Sequence, residues 1–177
     1  MRVLVCSDSH GRLLDLYDAV EREMPDAVIH LGDYYGDACE LRHSYPDLPV
    51  YAVAGNNDWG CDASWSQVIT LEGVRIYLTH GHQEGVSFSS CGHLMRRAQE
   101  NACQLGLFGH THIVYQKRQA GVMLLNPGSI SLPRQGVASY AMLSLKAGQI
   151  AAAELRDTEG NLWDSEKRRK QKRIGWL

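Results

Sequence analysis

Two histidines spaced two apart, His110 and His112, follow Gly109 at the end of the apolar run 105–108. In an extended segment residues i and i+2 point the same way, so this spacing predicts two imidazoles facing one pocket. Imidazole is the commonest metal-binding side chain, although a His-x-His pair alone is more often an ordinary surface pair. The same arrangement recurs along the chain. Asp8 and His10, Asp33, Asn56 and His80 each stand just past an apolar, strand-like run. In open α/β sheets, sites form outside the carboxyl ends of strands, and a buried Asp or His is costly unless it is paired or coordinates a metal. Two carboxylates, four imidazoles and one amide oxygen are too many for one tetrahedral site. They suit two adjacent metals sharing one ligand, and ions roughly 3.5–4 Å apart are the usual arrangement for hydrolysing phosphate esters. A carboxylate has two oxygens with which to bridge, and Asp33 stands centrally in the set. Such mixed ligands suit Mn, Fe, Zn, Ni or Co better than Ca or Mg.

These residues must be positioned by strands that end together. The run 2–7 reads as a strand buried on both faces, followed by a helix over 12–23 with Leu13, Leu16, Tyr17 and Val20 at helical spacing. Strands are expected over 27–31 and 50–54, with a short helical stretch over 37–42 between them. This alternation predicts a layered α/β fold with parallel pairing. Next come a hairpin turning at Glu72-Gly73, a helix over 91–104 and the strand leading into His110. Two further hairpins turn at Ala120-Gly121 and Ala147-Gly148, and Asn126-Pro127-Gly128-Ser129 reads as a turn. Residues 1–160 are expected to form one domain, with a basic tail over 161–177 whose Lys/Arg cluster at 167–173 reads as a solvated, frayed end.

Composition narrows the classes of function. The 177 residues carry a net charge of −2, with 44% hydrophobic and 21% charged side chains, an ordinary globular balance. That charge argues against nucleic acid as a partner, and a nuclease would need a basic cleft. No apolar run approaches the ~20 residues of a membrane span, and the first strand reaches Asp8 too soon to be a signal-peptide core. Five cysteines without a C-x-x-C pair point to reduced thiols and a cytoplasmic location.

Asp8-Ser9-His10, Gly32-Asp33, Gly55-Asn56-Asn57-Asp58, His80-Gly81 and Gly109-His110-Thr111-His112 occur in the order of the calcineurin-like metallophosphoesterase signature, over roughly residues 1–156. With Asn126-Pro127-Gly128-Ser129 and the small size, the chain resembles the small bacterial and archaeal phosphodiesterase branch. It also resembles the eukaryotic retromer scaffold subunit of the same fold. The resemblance implies a four-layer α/β/β/α sandwich of two mixed sheets. It implies two divalent transition metal ions, manganese foremost, with iron, zinc, nickel or cobalt as alternatives. One metal would take Asp8, His10, Asp33 and His112, and the other Asp33, Asn56, His80 and His110. A hydroxide bridging the two would attack phosphorus in line. Many relatives carry a His after the ligand Asn; here it is Asn57, which can hydrogen-bond a phosphate oxygen but cannot act as a general acid. That favours diesters or good leaving groups. Gly36 stands where protein phosphatases carry an Asp, which disfavours that activity.

Asn57 and His82 are the candidates for orienting a small phosphoester substrate. His30 reads as a core histidine that orients a ligand, His43 and His93 as surface residues, and Asp58 as a brace for its own loop. Trp59, Trp65, Tyr34 and Tyr35 follow ligand motifs and either line the cleft or simply pack. A homo-oligomer is compatible with the sequence. The alternative to an enzyme is a non-catalytic interaction protein on the same fold, and the seven intact ligand positions argue against it.

Overall fold

A computed structural model of the chain describes residues 1–87 and 90–163. The basic tail expected beyond residue 161 lies almost wholly outside the described residues. In chain order the elements are β1 (Arg2–Cys6), α1 (Leu13–Glu23), β2 (Ala27–His30), α2 (Tyr35–Ser44), β3 (Val50–Ala52), β4 (Ser66–Leu71), β5 (Val74–Thr79), α3 (Gly92–Glu100), β6 (Leu105–Leu107), β7 (Val114–Gln119), β8 (Val122–Pro127), β9 (Ser139–Lys146) and β10 (Gln149–Asp157).

They form two mixed five-stranded sheets, ordered β10-β9-β1-β2-β3 and β4-β5-β6-β8-β7. Period-two alternation decides which face each side chain serves. From β1, Val3 and Val5 meet Ile76, Leu78, Leu105 and Leu125 of the second sheet, closing the core between the sheets. Leu4 and Cys6 point the other way, onto Leu16, Ala19 and Val20 of α1 and Leu41 of α2. The second sheet sends Tyr77 and Leu124 outward onto Leu94 and Ala98 of α3. The layers are therefore helix, sheet, sheet, helix, as the sequence resemblance implies. Each fully buried Leu or Ile of these clusters contributes about 1.5–3 kcal/mol through water exclusion.

All three tight hairpins use the same device. Glu72-Gly73, Ala120-Gly121 and Ala147-Gly148 each hold two consecutive positive φ angles. That pair of conformations matches the right-handed twist of the flanking strands.

The helices differ in extent from the pattern-based expectation. α3 stops at Glu100 because Ala102 takes a left-handed conformation (φ 52°). Its N–H then donates to Gln99 O, and the Cys103 N–H donates to Ala98 O. This double closure ends a helix, but it ordinarily uses glycine, so an alanine gives no signal. α2 begins at Tyr35, two residues earlier than expected, because the Asp58 carboxylate caps it from another loop. It accepts the Tyr34 and Tyr35 N–H groups at 2.9 and 2.7 Å.

Candidate metal centre

β1 pairs parallel with β2, and β2 with β3; β5 pairs parallel with β6. Their carboxyl ends therefore open onto one edge of the sandwich, where the loops after five strands converge. Asp8, Asp33 and His80 are buried, His112 is 8% exposed, and His10, Asn56 and His110 are partly exposed.

One group comprises Asp8, His10, Asp33 and His112, whose candidate ligand atoms all lie within 4.8 Å of one another. His112 Nε2 lies 3.2 Å from Asp8 Oδ1, and His10 Nε2 lies 3.4 Å from His112 Nε2 and 3.9 Å from Asp33 Oδ2. Beside it, His80 Nε2 lies 3.3 Å from Asp33 Oδ1 and 3.1 Å from Asn56 Oδ1, which also meets His110 Nδ1 at 2.9 Å. Nitrogen and oxygen ligands about 2.0–2.2 Å from a zinc-sized ion are separated by distances of this order. The two oxygens of Asp33 thus face different imidazole groups.

The surroundings leave ligand atoms free for a metal. His80 Nδ1 donates to Leu31 O at 2.7 Å and His112 Nδ1 to Leu132 O at 2.6 Å, so each ring donates away from the cluster and turns its Nε2 toward it. An imidazole that donates its far N–H to a backbone carbonyl is the usual arrangement of a metal-bound histidine. Asp8 Oδ1 is buried and has no hydrogen-bond partner. Burial would raise the Asp8 carboxyl, but the neighbouring His112 and His80 outweigh it and hold the group below its ordinary value. Burial also opposes protonation of His112, yet the adjacent Asp8 carboxylate outweighs it and raises that imidazole. His110 is lowered by burial and then by the charge of His80. These donors fit a divalent cation.

The backbone here departs from the extended segment expected for His110 and His112. β6 ends at Leu107, and both histidines adopt left-handed conformations, with φ of 65° and 56°. Asp8, His10 and Asp33 do the same at 55°, 49° and 55°. The two imidazoles consequently serve different groups, His112 beside Asp8 and His110 beside Asn56. Such conformations cost of order 1–3 kcal/mol each and persist only where the surroundings enforce them.

Close backbone approach is part of that enforcement. A Cβ on Gly109 would collide with Ser7 Oγ and lie 2.8 Å from Asp8 Oδ2; one on Gly55 would collide with the carboxylate and N–H of Asp33. Beneath the site, Ser9 Oγ donates to Asp37 Oδ2 at 2.6 Å, which also accepts the Gly11 N–H at 2.9 Å. Having one proton, Ser9 must accept from His30 Nε2 (2.9 Å), while His30 Nδ1 accepts the Gly32 N–H at 3.3 Å. His30 therefore braces the loops and does not reach into the cluster. His43 and His93 are exposed.

Asn57 donates from its backbone and side chain to the two oxygens of Asp33, at 3.0 and 2.7 Å. His82 stands beside the cluster, its ring centroid 5.5 Å from that of His80 and 5.1 Å from that of Trp65. Its Nδ1 is buried without a partner, and burial, then the charge of His80, lowers its pKa. Several structural contributors carried no clear signal in the sequence. Ser129 and Ser131 both donate to Asp8 O, at 2.8 and 3.0 Å, and Asn126 donates to Gly109 O at 2.7 Å. The only hint was an Asn and a Ser set against an apolar strand and read as a turn.

A two-sheet sandwich carrying this nitrogen–oxygen cluster at its strand ends is the architecture of the metallophosphoesterase family. The family comparison agrees: residues 1–148 match the calcineurin-like phosphoesterase superfamily domain, and the chain belongs to that family. It is 36% identical over 165 residues to a probable metallophosphoesterase, YsnB, of Bacillus subtilis, covering 91% of this chain and 94% of that one. It is 30% identical over 172 residues to the phosphodiesterase YfcE of Escherichia coli, covering 81% and 87%. Among solved structures, a predicted phosphoesterase from Streptococcus pneumoniae superposes with a TM-score of 0.76 at 29% identity, covering 93% of each chain. Vacuolar protein sorting 29 from Cryptosporidium parvum shares the fold, with a TM-score of 0.75 at 19% identity over 92% of this chain and 95% of that one. No helix among the described residues is long and apolar enough to cross a membrane.

Proposed function

We propose that this chain is a metal-dependent phosphodiesterase acting on small substrates. In this reading Asp8, His10, Asp33 and His112 hold one divalent transition metal, and Asp33, Asn56, His80 and His110 hold a second. The observation that carries it is the placement of Asp33, whose Oδ2 faces His10 while its Oδ1 faces His80. Manganese is the first candidate for both positions, with iron, zinc, nickel and cobalt as alternatives compatible with the same donors. When bound, such ions neutralise charge developing on the phosphoryl oxygens and lower the pKa of a bound water.

The protein's own contribution is position. His80 and His112 are fixed by backbone carbonyls, and Asp33 is aimed by both donors of Asn57. Asn57 is exposed and keeps a second amide N–H with which to meet a phosphoryl oxygen. It cannot donate a proton to a departing alkoxide, so diesters with acidic leaving groups are favoured over monoesters of simple alcohols. The depressed pKa of His82 keeps that imidazole neutral near pH 7, with one N–H to offer substrate. Free thiols at all five cysteines suit a reducing, cytoplasmic setting.

Asp33→Ala tests the reading. Both metal content and hydrolysis of a phosphodiester should fall, turnover by at least ~100-fold, because losing even an outer hydrogen-bond partner of a metal ligand costs 10–100-fold. Full metal content with full turnover in that variant would overturn the assignment.

A further inference from the structure

His80 and His112 are each aimed by a backbone carbonyl, at 2.7 and 2.6 Å. His82 has no such anchor among the described residues. Its Nδ1 is buried without a partner, and its ring rests against those of Trp65, His80 and His110, with centroids 5.1, 5.5 and 6.2 Å away. The direction of this ring is therefore set by the backbone that carries it. That backbone is held from beneath by a carboxylate. Glu84 Oε1 accepts the Tyr77 O–H at 2.9 Å, and Oε2 accepts the Thr79 O–H at 2.7 Å. A threonine hydroxyl has one proton. With that proton on Glu84, the Thr79 oxygen turns its lone pairs to the Gly81 N–H, 3.1 Å away. Glu84 is thus joined through Thr79 to the peptide between His80 and Gly81, one residue before His82. Tyr77 is 5% and Thr79 1% exposed, so water competes little for these bonds, and hydrogen bonds to an ionised acceptor are the strong ones. Gly81 itself is at φ 106°, and a Cβ there would collide with Val86 Cγ2. The segment closes on itself, the Gly85 N–H donating to His82 O at 3.2 Å and the Val86 N–H to Gly81 O at 3.1 Å.

We propose that Glu84 is a positioning residue: through Thr79 and the Gly81 N–H it fixes the direction in which His82 presents its imidazole beside the ligand cluster. Its two oxygens are occupied by Tyr77 and Thr79, not by a candidate metal ligand. The effect on catalysis rests on the reading above in which His82 meets the phosphoester; the aim of the ring does not depend on it. A carboxylate that merely secured a loop would lower stability and leave the His82 ring where it is. A carboxylate that positions His82 changes the ring's surroundings and the binding of substrate, while metal content and the turnover of bound substrate stay as they are.

The test uses the full chain in two states. In the chelated protein, the NMR cross-peak between the His82 and Trp65 rings should weaken in Glu84→Gln and in Thr79→Val, which removes the connecting hydroxyl. It should persist in Thr79→Ser, which restores that hydroxyl, and in Tyr77→Phe, which leaves the Glu84–Thr79–Gly81 connection whole. In the manganese-loaded protein, KM for bis(p-nitrophenyl) phosphate should rise ~10-fold in Glu84→Gln and Thr79→Val with kcat and metal content unchanged, the lower end of what losing a supporting hydrogen bond costs at a metal site. In a His82→Ala background Glu84→Gln should add nothing, because no ring is left to aim. A ring cross-peak and KM unchanged in both variants, an equal rise in KM with and without His82, or a loss of bound metal in place of the rise in KM would overturn the proposal. Loss of the cross-peak in a parent chain that hydrolyses no phosphodiester when metal-loaded would overturn the phosphodiesterase reading and leave the positioning of His82 standing.

Discussion

Replacing Asp58 with alanine should loosen the site without touching any candidate ligand. The Asp58 carboxylate accepts three backbone N–H groups, from Tyr34 at 2.9 Å, Tyr35 at 2.7 Å and Gly55 at 2.7 Å. It thereby caps α2 from outside and ties the loop of Asp33 to the loop of Asn56. A hydrogen bond to a charged group contributes about 1.5–3 kcal/mol, which would sum to ~4–9 kcal/mol. Tyr34 is 47% exposed, so water can replace its bond at little cost. The two remaining bonds are partly buried, and discounting each for residual solvent leaves an expected loss of about 3 kcal/mol. For a chain of this size that corresponds to a fall in Tm of roughly 6–12 °C. Thermal melts of chelated and manganese-loaded protein would measure it. The rise in Tm on adding metal reports affinity, and it should also shrink, because Asp33 and Asn56 are no longer held in register. A variant that melts within ~1 °C of the parent and gains as much from metal would refute the idea that Asp58 organises the site.

Gly109→Ala should leave the chain folded but reduce metal uptake sharply, since the added methyl falls against Ser7 Oγ and Asp8 Oδ2; metal content after dialysis checks it, and an unchanged value would contradict the close-approach argument. The chelated protein should lose stability as pH falls below the ordinary imidazole value of 6.5, because burial lowers the pKa of His30 and the unfolded chain binds a proton there that the folded chain refuses. The lowered His82 and His110 act with the same sign, and the raised His112 opposes them. Urea unfolding at pH 7.5 and 5.5 should show the drop, and His30→Gln should reduce it; an equal drop in the variant would remove His30 from the account.

Much of this site was legible in the sequence because its donors follow strand ends. The apolar run of β1 announced Asp8 and His10, and the run of β2 announced Asp33. The layer order was legible for a related reason, since β1 is apolar from Val3 to Cys6 and must be covered on both faces. What escaped detection has a common physical origin in backbone conformation. Left-handed residues usually announce themselves as glycine, yet Asp8, His10, Asp33, His110 and His112 adopt that region as side-chain-bearing residues. The pairing of His110 with Asn56, and of His112 with Asp8, follows from those kinks and not from their two-residue spacing. The caps were hidden for a second reason. Asp58 on α2, and Ser129 and Ser131 on Asp8, act across separations of 23 to 123 residues, which no local pattern encodes.

The most direct measurement is metal stoichiometry together with hydrolysis of a phosphodiester by the chelated and manganese-reconstituted chain. The account predicts about two ions per chain and turnover that vanishes on chelation and returns with metal. Bound metal without turnover would leave a non-catalytic interaction protein on this fold, and an absence of metal would remove the site altogether.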